Sequence, residues 1–355
     1  MNANPGARTW EMLRQQARAG GHDVQAVATN YVIERFIARL MAGNHNSAIS
    51  IKGGQSLGIL FGNQMRPTKD LDLNVEMSAD EEDREKLIVT AIETACEFEV
   101  DDGVTFDVSN IKYEWRKHQG TGGLRVSIPA SINTSRVPFL IDIGIGNEMT
   151  FDPMKMAVPG ILNGRKSAPP PIDAVIYPME NTLAEKLVSK FEDGAASIRH
   201  KDFFDLWLLI ETLRRIGDFA VLDANTTTDE RNEALRTEFR ERLADGSLLD
   251  MPDVAISEDC LGRLSLALAR TAAHRGTPIP DDVCQFLMSE FAEDSVQPKQ
   301  WANWMKNNAS RLKYRPPMEK GKDSLKSLIG GIGPFLEGVA GPARDYGTSK
   351  PVSPS

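Results

Sequence analysis

The apolar positions of the chain follow two spacings in turn, and the changes between them mark its elements. Val24, Val27, Ala28 and Tyr31, continuing through Phe36 to Leu40, recur with the period of an amphipathic helix. "SAISIK" then alternates as a half-buried strand does, Gly53 and Gly54 interrupt it, and "QSLGILFG" returns to helical spacing. In "KDLDLNV" the alternation resumes, with Leu71, Leu73 and Val75 on one face and Asp70, Asp72 and Asn74 on the other. "SADE" at Ser78 to Glu81 has the form of a capping box before a helix whose stripe is Leu87, Ile88, Ala91, Ile92 and Ala95. Strand-like runs follow at Val104 to Val108, Leu124 to Ile128 and Arg136 to Ile145, so strands and helices mix up to about residue 150.

Beyond the proline-rich "APPPID" the pattern turns helical, with one stripe of Leu183, Leu187, Val188 and Phe191 and a second of Phe203, Leu206, Trp207, Ile210 and Leu213. These patterns predict an α+β protein: a mixed sheet flanked by helices over residues 1–170, a helical domain over 171–315, and a Gly-, Pro- and Ser-rich segment over 316–355 with a flexible end.

Composition narrows the class. Hydrophobic residues at 41% and charged residues at 26% describe a globular chain, and 355 residues are enough for about two domains. A net charge of -9 argues against wholesale coating of nucleic acid. Cys96, Cys260 and Cys284 are far apart and form no CxxC pair, which excludes a disulfide framework and a structural zinc site and fits reducing cytoplasm. No apolar run is long enough to span a membrane, and the first twenty residues carry no apolar signal segment, so a cytoplasmic protein without membrane contact is expected.

The chemistry lies in the carboxylates. Residues two apart on a strand point the same way, about 7 Å apart, so Asp70 and Asp72 share a face. Two like charges that close call for a cation, and oxygen ligands suit a divalent one. The bland reading is the solvent face of an edge strand, where alternation looks the same. Asp142 interrupts the apolar "FLIDIGI" and is a candidate third ligand, against the alternative that it faces water beside a glycine turn. Gly53, Gly54 and Ser56 can bring backbone N–H groups to a triphosphate at a helix N-terminus, although a simple turn explains "KGGQS" equally.

Taken in order, "KGGQSLGILFG", "TKDLDLNV", "FLIDIGIGN", "YPMENTLAEKLVSKFED" and "RHKDFFDLWLL" resemble the AbiEii-type nucleotidyltransferase toxins of abortive-infection and toxin–antitoxin systems, and the flanks "VIERFIARL" and "KQWANWM" extend the likeness over most of the chain. The resemblance implies a polymerase-β-like nucleotidyltransferase core followed by a helical domain. Its motifs fall on Gly53, Gly54 and Ser56, on Asp70 and Asp72, on Lys186, and on Arg199, Lys201 and Asp202 with Asp205 one turn on. Gln55 stands between the glycines and Ser56, where the family commonly has a hydroxyl residue directly after the glycines.

The implied reaction moves an NMP from an NTP to an acceptor hydroxyl, with two Mg2+ ions held by Asp70, Asp72 and Asp142, and Asp142 as proton acceptor. Lys186 would neutralise the triphosphate; its alternative is an exposed helix lysine. Asp202 and Asp205, three apart on one helix face, would hold Lys186 or Arg199 or contact the nucleotide with Arg199 and Lys201, or else favour the helix dipole. His200 carries no role and is expected at the surface. The resemblance further implies a tRNA 3′ end as acceptor, a block of translation, and a cognate antitoxin. Residues 299–326 carry eight Lys or Arg against two acidic side chains, with Trp301, Trp304 and Tyr314 interleaved, as an RNA-contact surface or as a solvated helix face with its aromatics in the core. Two further readings keep the fold: a transferase acting on a small molecule or protein, and a non-catalytic binding module.

Overall fold

The computed structural model describes residues 4–43, 48–61, 68, 70–76, 81–118, 121–158, 160–165, 168–196, 199–223, 230–309, 312, 314–316 and 324–348. The chain divides into two compact units: Met1–Leu60, Pro67–Asn147 and Pro153–Tyr177 form the first, Phe61–Arg66, Glu148–Asp152 and Pro178–Ser355 the second.

In the first unit, α1 (Pro5–Gly20) and α2 (Val24–Ala42) precede β1 (Ile49–Lys52), α3 (Gly53–Phe61), β2 (Asp70–Val75) and α4 (Glu81–Glu97). Then come β3 (Val104–Phe106), β4 (Lys112–His118), β5 (Thr121–Ile128), β6 (Ala130–Ile132), β7 (Ser135–Arg136), β8 (Phe139–Ile145), β9 (Met154–Val158) and β10 (Ile172–Ile176). Seven strands form one mixed sheet in the order β4-β5-β8-β2-β1-β10-β9, and β3-β6-β7 form a smaller one. The β2–β8 and β1–β10 pairs are parallel and the rest of the large sheet is antiparallel. The expected mixed sheet with flanking helices is what forms. Strands continue past residue 150, however: β9 and β10 are short and bounded by prolines, which reads as loop in sequence, and it is their pairing with each other over five residues, with β10 joined to β1, that makes them strands.

One face of the sheet is apolar. Leu71, Leu73, Val75, Ile141, Ile143, Val126, Ile51 and Ile176 are buried on it, and α2 packs on β8 and β10. Phe36 of α2 meets Phe106 and Phe139 with ring centroids 6.0 and 5.4 Å away. A buried ion pair locks this layer: the Arg39 guanidinium donates to both Asp102 oxygens at 2.8 and 3.0 Å, while the Asp102 carbonyl accepts from Thr9 and Tyr31 hydroxyls, both at 3.0 Å. A buried pair of this kind resists loss of either partner because the survivor is left charged in low dielectric. The polar positions of β2 fall on the opposite face. The capping box expected at Ser78 to Glu81 lies outside the residues whose side chains are described.

The second unit holds α5 (Met179–Asp193), α6 (His200–Ile216), α7 (Glu230–Asp245), α8 (Glu258–Arg275), α9 (Val283–Leu287), α10 (Gln297–Asn308) and α11 (Ser324–Thr348). α6 is buried nearly all round, from Phe203 to Ile210 without a break, and so forms the centre of this unit. Arg263 of α8 ties α5 to α8 by donating to Glu180 at 3.0 Å, and also contacts Asp218 and Asp259. Residues 324–348 lie in the Gly-, Pro- and Ser-rich C-terminal segment. They form a helix despite Pro334 and Pro342, because Leu325, Leu328, Ile329, Ile332, Leu336 and Val339 bury a stripe against α8 and α9. Among the described residues no helix is long and apolar enough to cross a membrane.

The aromatics of the basic segment belong to this core. Trp301 is fully buried, stacks on Trp304 at 5.5 Å, and donates its indole N–H to Ser324 Oγ; Trp304 also packs on Phe204, and Tyr314 is buried. Residues 310, 311, 313 and 317–323 of that segment lie outside the described residues.

Candidate functional site

The turn from β1 into α3 requires glycine at 53. Gly53 has φ +65° and lies so close to β2 that a β-carbon there would stand 2.0 Å from Asp72 Oδ2, which only glycine relieves. The first turn of α3 therefore sits directly beside the Asp72 carboxylate. That turn also carries N–H groups with no partner inside the helix. Ser56 is fully buried and its hydroxyl donates to the Gly53 carbonyl at 2.9 Å. The backbone of Gly53 and Gly54 is the feature of this turn that can serve a phosphate.

Strand register lines up a row of charge across five adjacent strands. Lys52 pairs with Asp72, Asp72 with Asp142, Asp142 with Arg125 and Arg125 with Glu114, and laterally paired residues point to one face. Asp72 and Asp142 thus stand side by side, both half-buried. The next row is Ser50, Asn74, Gly144, Gly123 and Arg116. Its glycines open a cleft of about 240 Å³, lined by Asp72, Asp142, Lys52, Arg116, Asn147 and the two glycines among others. Asn147 donates to Asn74 Oδ1 at 2.8 Å, and Gly144 leaves it room, since a β-carbon there would lie 2.1 Å from Asn147 Nδ2.

Asp70 shares the face but stands one row the other way, opposite Leu140. Its carboxylate accepts from the Thr68 hydroxyl at 3.1 Å, and it does not line the cleft. Asp142 is held by Arg125, whose Nε and Nη2 donate to its two oxygens at 2.6 and 2.7 Å. That contact raises the Arg125 guanidinium above its ordinary pKa.

Carboxylate oxygens are the donor type for a hard divalent ion, and Mg2+ typically takes one or two of them and completes its shell with phosphates and water. Asp72 and Asp142 fit that demand, and the missing side chain of Gly53 is what admits the first against the turn. Among the described residues no three His, Cys, Asp or Glu side chains converge to enclose an ion by themselves.

The remaining motif residues belong to the second unit. Lys186 of α5 is nearly buried, its amine 2.7 Å from Asp205 Oδ2 and 3.3 Å from Asp202 Oδ1. Of the two partners expected for these aspartates, Lys186 is the one they contact. Arg199 is exposed at the start of α6 and Lys201 is half-buried. Lys190, one turn from Lys186, is fully buried; its amine donates to the Arg199 carbonyl at 3.0 Å, lies 3.6 Å from Asp202 Oδ2 and sits over the Phe203 ring. Burial pulls its pKa down to about 8, against the opposing pull of Asp202. His200 is buried, not at the surface, in the first turn of α6 together with Asp202 and Phe203.

Sequence reasoning missed Arg125, Arg116, Asn147 and Lys190. Arg125 sits in an ordinary alternating strand, "LRVSI", and its meaning depends on which residue lies across from it. Lys190 was open to detection: it falls four residues after Lys186, on a helix whose neighbours carry acidic residues.

The profile of the family described as nucleotidyl transferase AbiEii toxin, Type IV TA system, matches residues 35–314. Among solved structures, JHP933 from Helicobacter pylori and a second H. pylori protein described as a candidate nucleotidyltransferase each align at 13% identity and a TM-score of 0.39. Both alignments cover 88% of this chain, with 94% of the first protein and 96% of the second. None of the curated proteins compared with the chain matches it. The family match spans both units and every motif residue named above, so the chain belongs to the AbiEii nucleotidyltransferase toxins of Type IV toxin–antitoxin systems.

Proposed function

We propose that the chain transfers a nucleoside monophosphate from an NTP to the 3′ hydroxyl of tRNA, and that the extended tRNA, no longer open to aminoacylation, halts translation as the toxic step of a toxin–antitoxin or phage-defence system. The observation that carries the reading is the side-by-side placement of Asp72 and Asp142 next to the N-terminal turn of α3. An NTP substrate and an antitoxin partner follow from the family; the acceptor, the metal and the consequence for translation are the proposal.

In the proposed reaction the acceptor oxygen forms a bond to the α-phosphorus as the α–β phosphoanhydride breaks, and pyrophosphate leaves. Asp72 and Asp142 would hold a divalent ion, with Asp70, one row away and hydrogen-bonded to Thr68, as the further ligand the family resemblance implies; such ions would supply charge stabilisation and a lowered hydroxyl pKa. Asp142 accepts the hydroxyl proton. The backbone N–H groups of Gly53 and Gly54 bind phosphate oxygens. Lys186, its amine fixed by Asp205, neutralises the triphosphate, with Arg199 and Lys201 as further nucleotide contacts and Asp202 supporting Lys186.

Purified protein incubated with Mg2+ and each labelled NTP in turn, with total RNA, with tRNA alone and with no RNA, tests this. Label on the tRNA 3′ end and failure of that tRNA to be aminoacylated are expected. Label on protein or on a small molecule without RNA would replace the acceptor, and no label in any arm would overturn the reading.

A further inference from the structure

The Asp142 carboxylate is already engaged on both oxygens. Arg125, directly across on β5, donates to both oxygens, at 2.6 and 2.7 Å, and the pairing is built by strand register. The arrangement answers an electrostatic problem. Asp72 and Asp142 occupy the same register on neighbouring strands, about 5 Å apart, where like charges directly opposite destabilise a sheet. A cation is needed there whether or not nucleotide is bound, and on the Asp142 side Arg125 supplies it, with Lys52 across from Asp72 on the other.

We propose that Arg125 is a resident counter-ion that competes with the divalent ion for Asp142, so that the nucleotide-free protein binds metal weakly. This inference rests on the transferase reading above. Two properties of the pair support an exchangeable role. Both side chains are partly open to solvent, at 35% and 29% exposure, so separating them carries little of the penalty of a buried pair. A guanidinium also keeps its charge at every working pH, so it cannot step aside by losing a proton; it yields only when something else takes its place on the carboxylate and offers it a new anion. An NTP arriving with its metal does both, since its phosphates suit the planar fork of arginine. Metal and nucleotide then bind as a pair, and metal alone meets a repelling charge within a few ångströms. Arg125 is thus a positioning residue, and its effect is read in metal affinity.

The test is Mn2+ titration by calorimetry on the full chain without nucleotide, for wild type, Arg125→Lys, Arg125→Gln, Asp142→Asn and Arg125→Gln/Asp142→Asn, each checked by thermal melt. Arg125→Gln is expected to bind Mn2+ about tenfold tighter than wild type, the effect of removing one nearby like charge through solvent. Arg125→Lys, whose single amine cannot take both oxygens, falls between. The gain vanishes when Asp142→Asn is added. Unchanged or weaker Mn2+ binding in a folded Arg125→Gln overturns the inference; should that variant not fold, Arg125→Lys with wild-type affinity does so. If wild type transfers nucleotide with Mg2+ yet Mn2+ affinity ignores residue 125, only the inference fails. If wild type neither transfers nucleotide nor binds Mn2+, both readings fail.

Discussion

Gly53 and Asp72 are fitted to each other: residue 53 turns with φ +65° and leaves no room for a β-carbon, which would lie 2.0 Å from Asp72 Oδ2. Gly146 has a similar φ of +72° but open space around it, and so serves as an internal control.

Gly53→Ala and Gly146→Ala both force alanine into a left-handed conformation, at about 1–3 kcal/mol each. Only the first also displaces Asp72. Nucleotide transfer is expected to fall much further in Gly53→Ala than in Gly146→Ala at matched loss of melting temperature. Equal activities in the two variants would show that the close approach to Asp72 has no catalytic meaning.

Adjacent aspartates give a second contrast, in stability. Arg39→Met strands the buried Asp102 carboxylate and should cost about 3–5 kcal/mol. Arg8→Ala removes a 3.8 Å surface pair with Asp101 and should cost less than about 1 kcal/mol. Urea denaturation of both variants distinguishes them; similar midpoints would mean that the Arg39–Asp102 pair does not hold α2 to its neighbours.

The buried Lys190 makes stability depend on alkaline pH. Its amine has a folded pKa of about 8 against an ordinary 10.5, so between those values the unfolded chain binds more protons than the folded one. Stability contributed by this residue therefore rises as pH climbs from about 8 to 10.5, and is absent below that window. Melting temperatures of wild type and Lys190→Met across it should show wild type gaining on the variant with pH. A constant difference would mean that the pKa of Lys190 is ordinary in the folded protein.

Alternation made the carboxylates legible. "KDLDLNV" and "FLIDIGI" place acidic side chains where an apolar strand exposes its polar face, and the resemblance of five ordered motifs implies their chemistry. What one sequence could not show is lateral: that β2 and β8 run parallel with Asp72 opposite Asp142, and that Arg125 then falls on Asp142. Register is a property of strand pairs, and a strand such as β10 exists only through its partner. Burial was misjudged where composition and packing disagree. His200 is polar yet buried in the first turn of α6, and the glycine- and proline-rich segment around Pro334 is helical because its leucines and isoleucines recur on one face. Ser56 was legible as part of the glycine turn, but its hydroxyl serves the turn itself.

The claim on which the account stands is that Asp72 and Asp142 act together on an NTP. The most direct measurement is transfer of labelled nucleotide to RNA by wild type, Asp72→Asn and Asp142→Asn, at equal concentration, with Mg2+ and with EDTA. The account predicts labelled RNA with wild type and Mg2+ alone, and loss of at least about a hundredfold in either variant while both melt as wild type does. Wild-type transfer by either folded variant, or transfer that survives EDTA, would contradict it.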